Sequence, residues 1–196
     1  MTRIAERSKI TKVVLIGDSI RMGYQPLVVT NLQGWAEVWG PSENCRHSLW
    51  ALEHFNQWVA GQRPDILHFN FGIHDAELTQ DGHSQIVIEQ YRLCLQRFIK
   101  RAEQLHIRLI WATTTPRYQV PEGNSPGQWL KMTRIDDYNA AALQIVRSCQ
   151  IAVNDLHKAI TDNDYVQCLQ SDGCHMSDFG NKVLADAVVK SVGPFL

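Results

Sequence analysis

Short apolar runs alternate along the chain with longer segments whose apolar residues recur every three or four positions. "KVVLIG" (12–17), "AEVWG" (36–40), "DILHFNFG" (65–72) and "IRLIWAT" (107–113) have strand length and are mostly rich in β-branched or aromatic residues; "IAVND" (151–155) is a weaker fifth run. Between them, 48–62 places Leu49, Leu52, Phe55 and Val59 on one helical face, and 84–105 does the same with Ile88, Tyr91, Leu95, Phe98 and Ile99. Segments 132–149 and 178–192 read as helices in the same way, and 25–33 as a shorter one. This alternation predicts an α/β fold: a parallel sheet covered by helices on both faces, as a single domain over residues 1–196. The long irregular segment 113–130 contains Pro116, Pro121 and Pro126. A loop of that length is usually a lid or a substrate wall; a disordered excursion is the alternative.

Composition changes this picture little. The chain is 44% hydrophobic and 20% charged with a net charge of -1, an ordinary globular balance. Without a basic excess or a polybasic run, neither nucleic acid nor a membrane surface is an expected partner. Five cysteines, an odd number without CxxC spacing, suggest neither a zinc site nor a disulfide scaffold and fit a reducing compartment. The start "MTRIAERSKITKVVLIGDS" is basic, but its apolar run is too short for a signal peptide. No stretch approaches the ~18 apolar residues of a membrane span. A cytoplasmic location is therefore expected.

In open parallel sheets, ligands bind beyond the carboxyl ends of the strands, so the residues after each run carry the chemistry. Gly17, Asp18 and Ser19 follow the first run, "GPSENCRHS" (40–48) the second, "GIHDAE" (72–77) the third and "TTTP" (113–116) the fourth. A serine on a strand-to-helix turn is a candidate nucleophile if a base removes its proton. The late stretch "SDGCHMSDFG" offers that base in His175, with Asp172 three residues earlier to fix its tautomer. Each residue also has a plainer reading: Ser19 as a helix cap, and Asp172 and His175 as a loop pair ahead of a helix capped by Ser177 or Asp178. Metal binding by His68, His74, His83 or His175 with Asp75 or Asp172 lacks an HExxH or a dense cluster. "GDSIRMG" has neither a Walker lysine nor a GxGxxG fingerprint for phosphate.

At these residues the chain resembles the SGNH (GDSL-like) hydrolases. "IGDS" (16–19) looks like the block that carries the nucleophile, "DGCHMS" (172–177) like the D-x-x-H-x-S block, and "FGIHDAE" (71–77) sits where that family has G-x-N-D. "TTTP" and "RIDDYNAAALQIV" extend the resemblance, which runs from about residue 12 to about 192. It implies a flavodoxin-like three-layer α/β/α sandwich with a five-stranded parallel sheet of order 2-1-3-4-5. It also implies ester or thioester hydrolysis through an acyl-serine, with Ser19, His175 and Asp172 as nucleophile, base and orienting acid and no cofactor. In that order Ser19 and His74 face one crevice.

Two departures stand out. His74 replaces the family's asparagine, an oxyanion donor; a neutral histidine can donate one N–H, and the alternative is that His74 only packs or bonds Asp75. In the second block, Cys45 and Arg46 stand where the family has glycine, which matters only if the turn needs a positive φ. The expected oxyanion hole is therefore the Ser19 N–H, a backbone N–H of Cys45 or Arg46, the His74 side chain and, as a further donor, Asn44. Tyr118 and Trp129 are candidate substrate walls, and the expected partner is a small-molecule ester, small or polar, such as an acetyl group on a carbohydrate. Two other classes stay open: a non-catalytic binding module on the same fold, favoured by the two departures, and a metal-dependent hydrolase using His74, Asp75 and His175.

Overall fold

The computed structural model describes residues 10–123 and 128–196. Most of the basic start on which the leader reading rests, and Pro126 of the long loop, lie outside the described residues. In chain order the elements are β1 (Thr11–Ile16), α1 (Ser19–Asn31), β2 (Ala36–Trp39), α2 (Ser48–Glu53), α3 (Phe55–Trp58), β3 (Ile66–Phe69), α4 (Ile73–Ala76) and α5 (Ile88–Glu103). There follow β4 (Arg108–Ala112), β5 (Tyr118–Gln119), β6 (Leu130–Lys131), α6 (Arg134–Ser148), β7 (Ala152–Asn154), α7 (Leu156–Thr161), α8 (Tyr165–Cys168) and α9 (Asp178–Val192).

Five strands form one parallel sheet in the order β2-β1-β3-β4-β7, the 2-1-3-4-5 order of its own strands. Val13–Ile16 and Ile66–Phe69 are buried throughout, as central strands covered on both faces must be. One helical layer is built by α1 against α9; the other runs from α2 through α5 to α6. The face expected on α5 is the buried one, with Tyr91, Leu95, Phe98 and Ile99 joined by Cys94 and Ala102, while Ile88 is only half-buried. Chain order reverses between β1 and β3, which pair Ile16 with Phe69, so the crevice opens above those two strands.

Two helices differ from expectation. Instead of 25–33, α1 begins at Ser19 and carries Pro26 in its interior. Segment 48–62 is not one helix: it breaks at His54, whose ring nitrogen and backbone N–H both meet the Trp50 carbonyl, at 2.9 and 3.1 Å. The ring is held between Trp50 and Trp58, with centroids 4.2 and 4.5 Å away. The inward face is consequently Ala51, Phe55, Trp58 and Val59, and Leu49 and Leu52 are only half-buried. Part of the long irregular segment is ordered as the antiparallel pair β5–β6.

Candidate active site

The turn after β1 sets Ser19 as the first residue of α1. Asp18, not Ser19, caps that helix, its carboxylate accepting the Ile20 N–H at 2.9 Å. Ser19 is thus free of the capping role, and its Oγ lies 2.9 Å from His175 Nε2. His175 Nδ1 lies 2.6 Å from Asp172 Oδ2. An ionised carboxylate only accepts, so Nδ1 carries the proton and Nε2 is left to accept from the serine hydroxyl. The order Ser19–His175–Asp172 can therefore move a proton away from Ser19 Oγ.

The D-x-x-H spacing has a local cause. Asp172 Oδ1 accepts the N–H groups of Cys174 and His175 at 2.9 and 3.0 Å, an Asx turn that folds the histidine back over the aspartate. Partial burial pushes the Asp172 carboxyl up, but the His175 ring and the two backbone donors outweigh it and hold it below its ordinary value. Gly173 sits at φ +69°, and a Cβ there would meet the Tyr118 carbonyl at 2.5 Å. Tyr118 N–H in turn donates to the Gly173 carbonyl at 2.8 Å, so β5 props the Asp172–His175 turn. Ser177 caps α9 through Gly180 N–H, so the plainer capping reading holds for Ser177 alongside the Asp172–His175 pair rather than in place of it.

The loop 40–48 is laced to its surroundings from three directions. The guanidinium of Arg21 is buried and donates to the carbonyls of Pro41 and Glu43 at 2.8 and 2.7 Å. Cys45 N–H donates to the Gly17 carbonyl at 3.2 Å, joining the loop to the turn that carries Ser19. Ser48 donates its N–H and hydroxyl to the buried carboxylate of Asp75, with the hydroxyl 2.5 Å from Oδ1. Burial pushes Asp75 up to about 6, against the pull of those Ser48 donors. Burial also raises Asp18 and the Cys45 thiol.

These bonds change the expected oxyanion donors. The Cys45 N–H is committed to Gly17, and the Arg46 N–H donates to Asn44 Oδ1 at 2.7 Å, so neither is free in the way expected. Arg46 adopts φ +53°, so the turn does need the left-handed conformation for which glycine is the natural residue. His74 does not bond Asp75: its Nε2 lies 3.3 Å from Asn44 Nδ2, and its Nδ1 lies 3.5 Å from Glu77 Oε2. Ser19 N–H, at the first position of α1, has no intrahelical acceptor and remains available.

The wall candidates are placed differently from expectation. Tyr118 and Trp129 are buried, and both pack with Tyr165, on which Tyr118 stacks at 4.6 Å between centroids. They stiffen β5–β6 and the Gly173 turn instead of offering open faces. Among the described residues, the side chains weighed as metal ligands do not gather into a group of three that could hold a metal ion. His68 is buried in β3 against Asn154, with burial lowering it to about 4, and Asp75 is held by Ser48. A helix beginning at residue 25 leaves Arg21 outside it, so its inward position is not visible from periodicity. A start at 19 would have put Arg21 in line with buried Tyr24 and Val28.

A family model described as "GDSL-like Lipase/Acylhydrolase family" matches residues 15–183. A human protein, isoamyl acetate-hydrolyzing esterase 1 homolog, is 29% identical over 123 residues, 58% of this chain and 50% of that protein. The chain thus spans half the length of that curated relative. Among solved structures, the lipase/acylhydrolase from Enterococcus faecalis superposes with a TM-score of 0.76 at 25% identity, covering 94% of this chain and 96% of that one. An acetylxylan esterase from Geobacillus stearothermophilus gives 0.74 at 18% identity over 93% and 94%, a likeness of fold.

Proposed function

The chain belongs to the GDSL-like lipase/acylhydrolase family, and on that premise we propose that it is a serine esterase working through an acyl-serine intermediate. The observation that carries this reading is the continuous hydrogen-bond path Ser19 Oγ–His175–Asp172 beside the crevice. Ser19 Oγ attacks the acyl carbonyl while His175 Nε2 takes its proton, and Asp172 stabilises the imidazolium. The Ser19 N–H receives the developing oxyanion; one such donor is typically worth ~3 kcal/mol of barrier. His175 then protonates the leaving alcohol. Water, deprotonated by the same imidazole, releases the acid and regenerates Ser19. No step calls for a cofactor.

Small or polar esters are the proposed substrates, with acetyl groups on a carbohydrate as one case. The side chains of His175 and Asp172 are 44 and 47% exposed, an open setting that does not enclose a long acyl chain. The names of the human relative and of the Geobacillus enzyme both refer to acetyl esters and point the same way. A binding module on this fold is the second reading, and it draws on the commitment of the Cys45 and Arg46 N–H groups within the protein. Hydrolysis of p-nitrophenyl esters from acetyl to decanoyl, by wild type and Ser19→Ala, tests the proposal. Short-chain activity that disappears in the variant is expected. Equal turnover by both proteins would refute the serine mechanism.

A further inference from the structure

The loops after β2 and β3 carry a chain of polar groups that fixes its own hydrogens. Arg46 N–H can only donate, so the Asn44 atom facing it at 2.7 Å is the oxygen. The Asn44 amide nitrogen therefore faces His74 Nε2, at 3.3 Å. An amide nitrogen also only donates, so Nε2 must be bare and the imidazole proton must sit on Nδ1. Nδ1 faces the carboxylate of Glu77 at 3.5 Å, and Glu77 is flanked by Arg117 at 3.6 Å through its other oxygen. In this arrangement His74 accepts and cannot donate into the crevice from Nε2. Asn44 Nδ2 has a second hydrogen with no protein acceptor among the described residues. The loop that carries it is tied to the nucleophile turn one residue later, through Cys45 N–H and the Gly17 carbonyl.

We infer that Asn44 supplies the side-chain oxyanion donor of this enzyme, and that His74 and Glu77 are positioning residues that aim its amide. The amide that the family's third block would place after β3 is supplied here from the loop after β2. The histidine in the third block turns that amide toward the reacting carbonyl. Asn44 would touch the oxyanion; His74 and Glu77 act only through Asn44. The inference rests on the esterase reading given above.

Two measurements test it. In the first, kcat and KM for a p-nitrophenyl ester are compared for wild type, Asn44→Ala, His74→Ala and the double variant. Loss of a transition-state donor lowers kcat by about a hundredfold with KM little changed. Asn44→Ser, whose hydroxyl still accepts from Arg46 N–H but falls short of the crevice, should lose as much, which separates donation from loop folding. His74→Ala should lose about tenfold, and the double variant no more than Asn44→Ala alone, because His74 acts through the same amide. In the second, 15N chemical shifts of the His74 ring, assigned by the signal missing from His74→Ala, should show a protonated Nδ1 and a bare Nε2. A kcat for Asn44→Ala within about threefold of wild type, or a protonated Nε2 in the neutral ring, would overturn the inference while leaving the serine mechanism intact. A wild type without ester hydrolysis would overturn the esterase reading and this inference with it, whereas the ring shifts would still report the local wiring.

Discussion

The Asp172–His175 side of the crevice is built from a four-residue turn, whereas the side around Asn44 and His74 is assembled from residues of four strand ends. Asp172 and His175 are shaped by two backbone N–H bonds within the turn, with Ser19 and the Tyr118 N–H of β5 as the partners from elsewhere. Elsewhere around the crevice, Arg21 ties down the loop after β2, Ser48 is held by Asp75, and Asn44, His74, Glu77 and Arg117 form a chain, so residues from four strand ends are drawn together. Two carboxylates mark the contrast. Asp172, exposed and fed by donors, is held low, and Asp75, buried and serving as an anchor, is pushed up to about 6. Chemistry that needs a full negative charge is left near water, and the carboxyl that ties loops together is sunk in the protein.

The largest expected effect lies on the short-range side. Asp172→Asn keeps an oxygen for the Cys174 and His175 N–H groups but no longer holds the His175 tautomer, so kcat should fall by about 10³–10⁴ with the circular dichroism unchanged. A fall of less than tenfold would remove the distinction between the two sides. Gly72→Ala strikes where the third strand end meets the fourth: φ is +151°, and a Cβ would lie 2.2 Å from Thr114 Oγ1. Urea unfolding should show a loss of about 3 kcal/mol.

A pH-dependent effect of similar size is expected at Asp75. Its folded value of about 6 lies above the ordinary 3.8, so the folded state binds a proton more readily than the unfolded chain does. Its contribution to stability is therefore greatest at low pH, declines as pH rises from about 4 to about 6, and levels off some 3 kcal/mol lower. Asp75→Asn removes that decline, so the difference in unfolding free energy, wild type minus variant, should fall across this window; a flat difference would contradict the assignment. The smallest effect concerns Arg46. Arg46→Gly relieves a left-handed backbone but adds freedom to the unfolded chain, and the two nearly cancel, leaving a change under ~1 kcal/mol in thermal unfolding.

What could be read in the sequence follows the same division. The five apolar runs, the buried face of α5 and the whole of α9 depend on local periodicity, and the D-x-x-H turn depends on a three-residue spacing; all of these lie within one window of chain. The start of α1 was hidden because Pro26 reads as a helix beginning, although the helix runs through it. With the start misplaced, the inward position of Arg21 was hidden too. The break at His54 depends on a side chain competing for the Trp50 carbonyl, which periodicity does not register. The commitment of the Cys45 and Arg46 N–H groups, and the pairing of Asn44 with His74 thirty residues away, depend on which loops meet above the β1–β3 switch. Tyr118 and Trp129 were legible as aromatics in a long loop, but their burial against Tyr165 depends on α8 docking beneath them.

The most direct measurement is the intact mass of the protein after exposure to a serine-directed organophosphate, followed by peptide mapping. An activated Ser19 predicts a single covalent adduct on the peptide that contains it, lost in Ser19→Ala and strongly slowed in His175→Ala. An unlabelled wild type, or an adduct that persists when Ser19 is replaced, would contradict the nucleophile assignment.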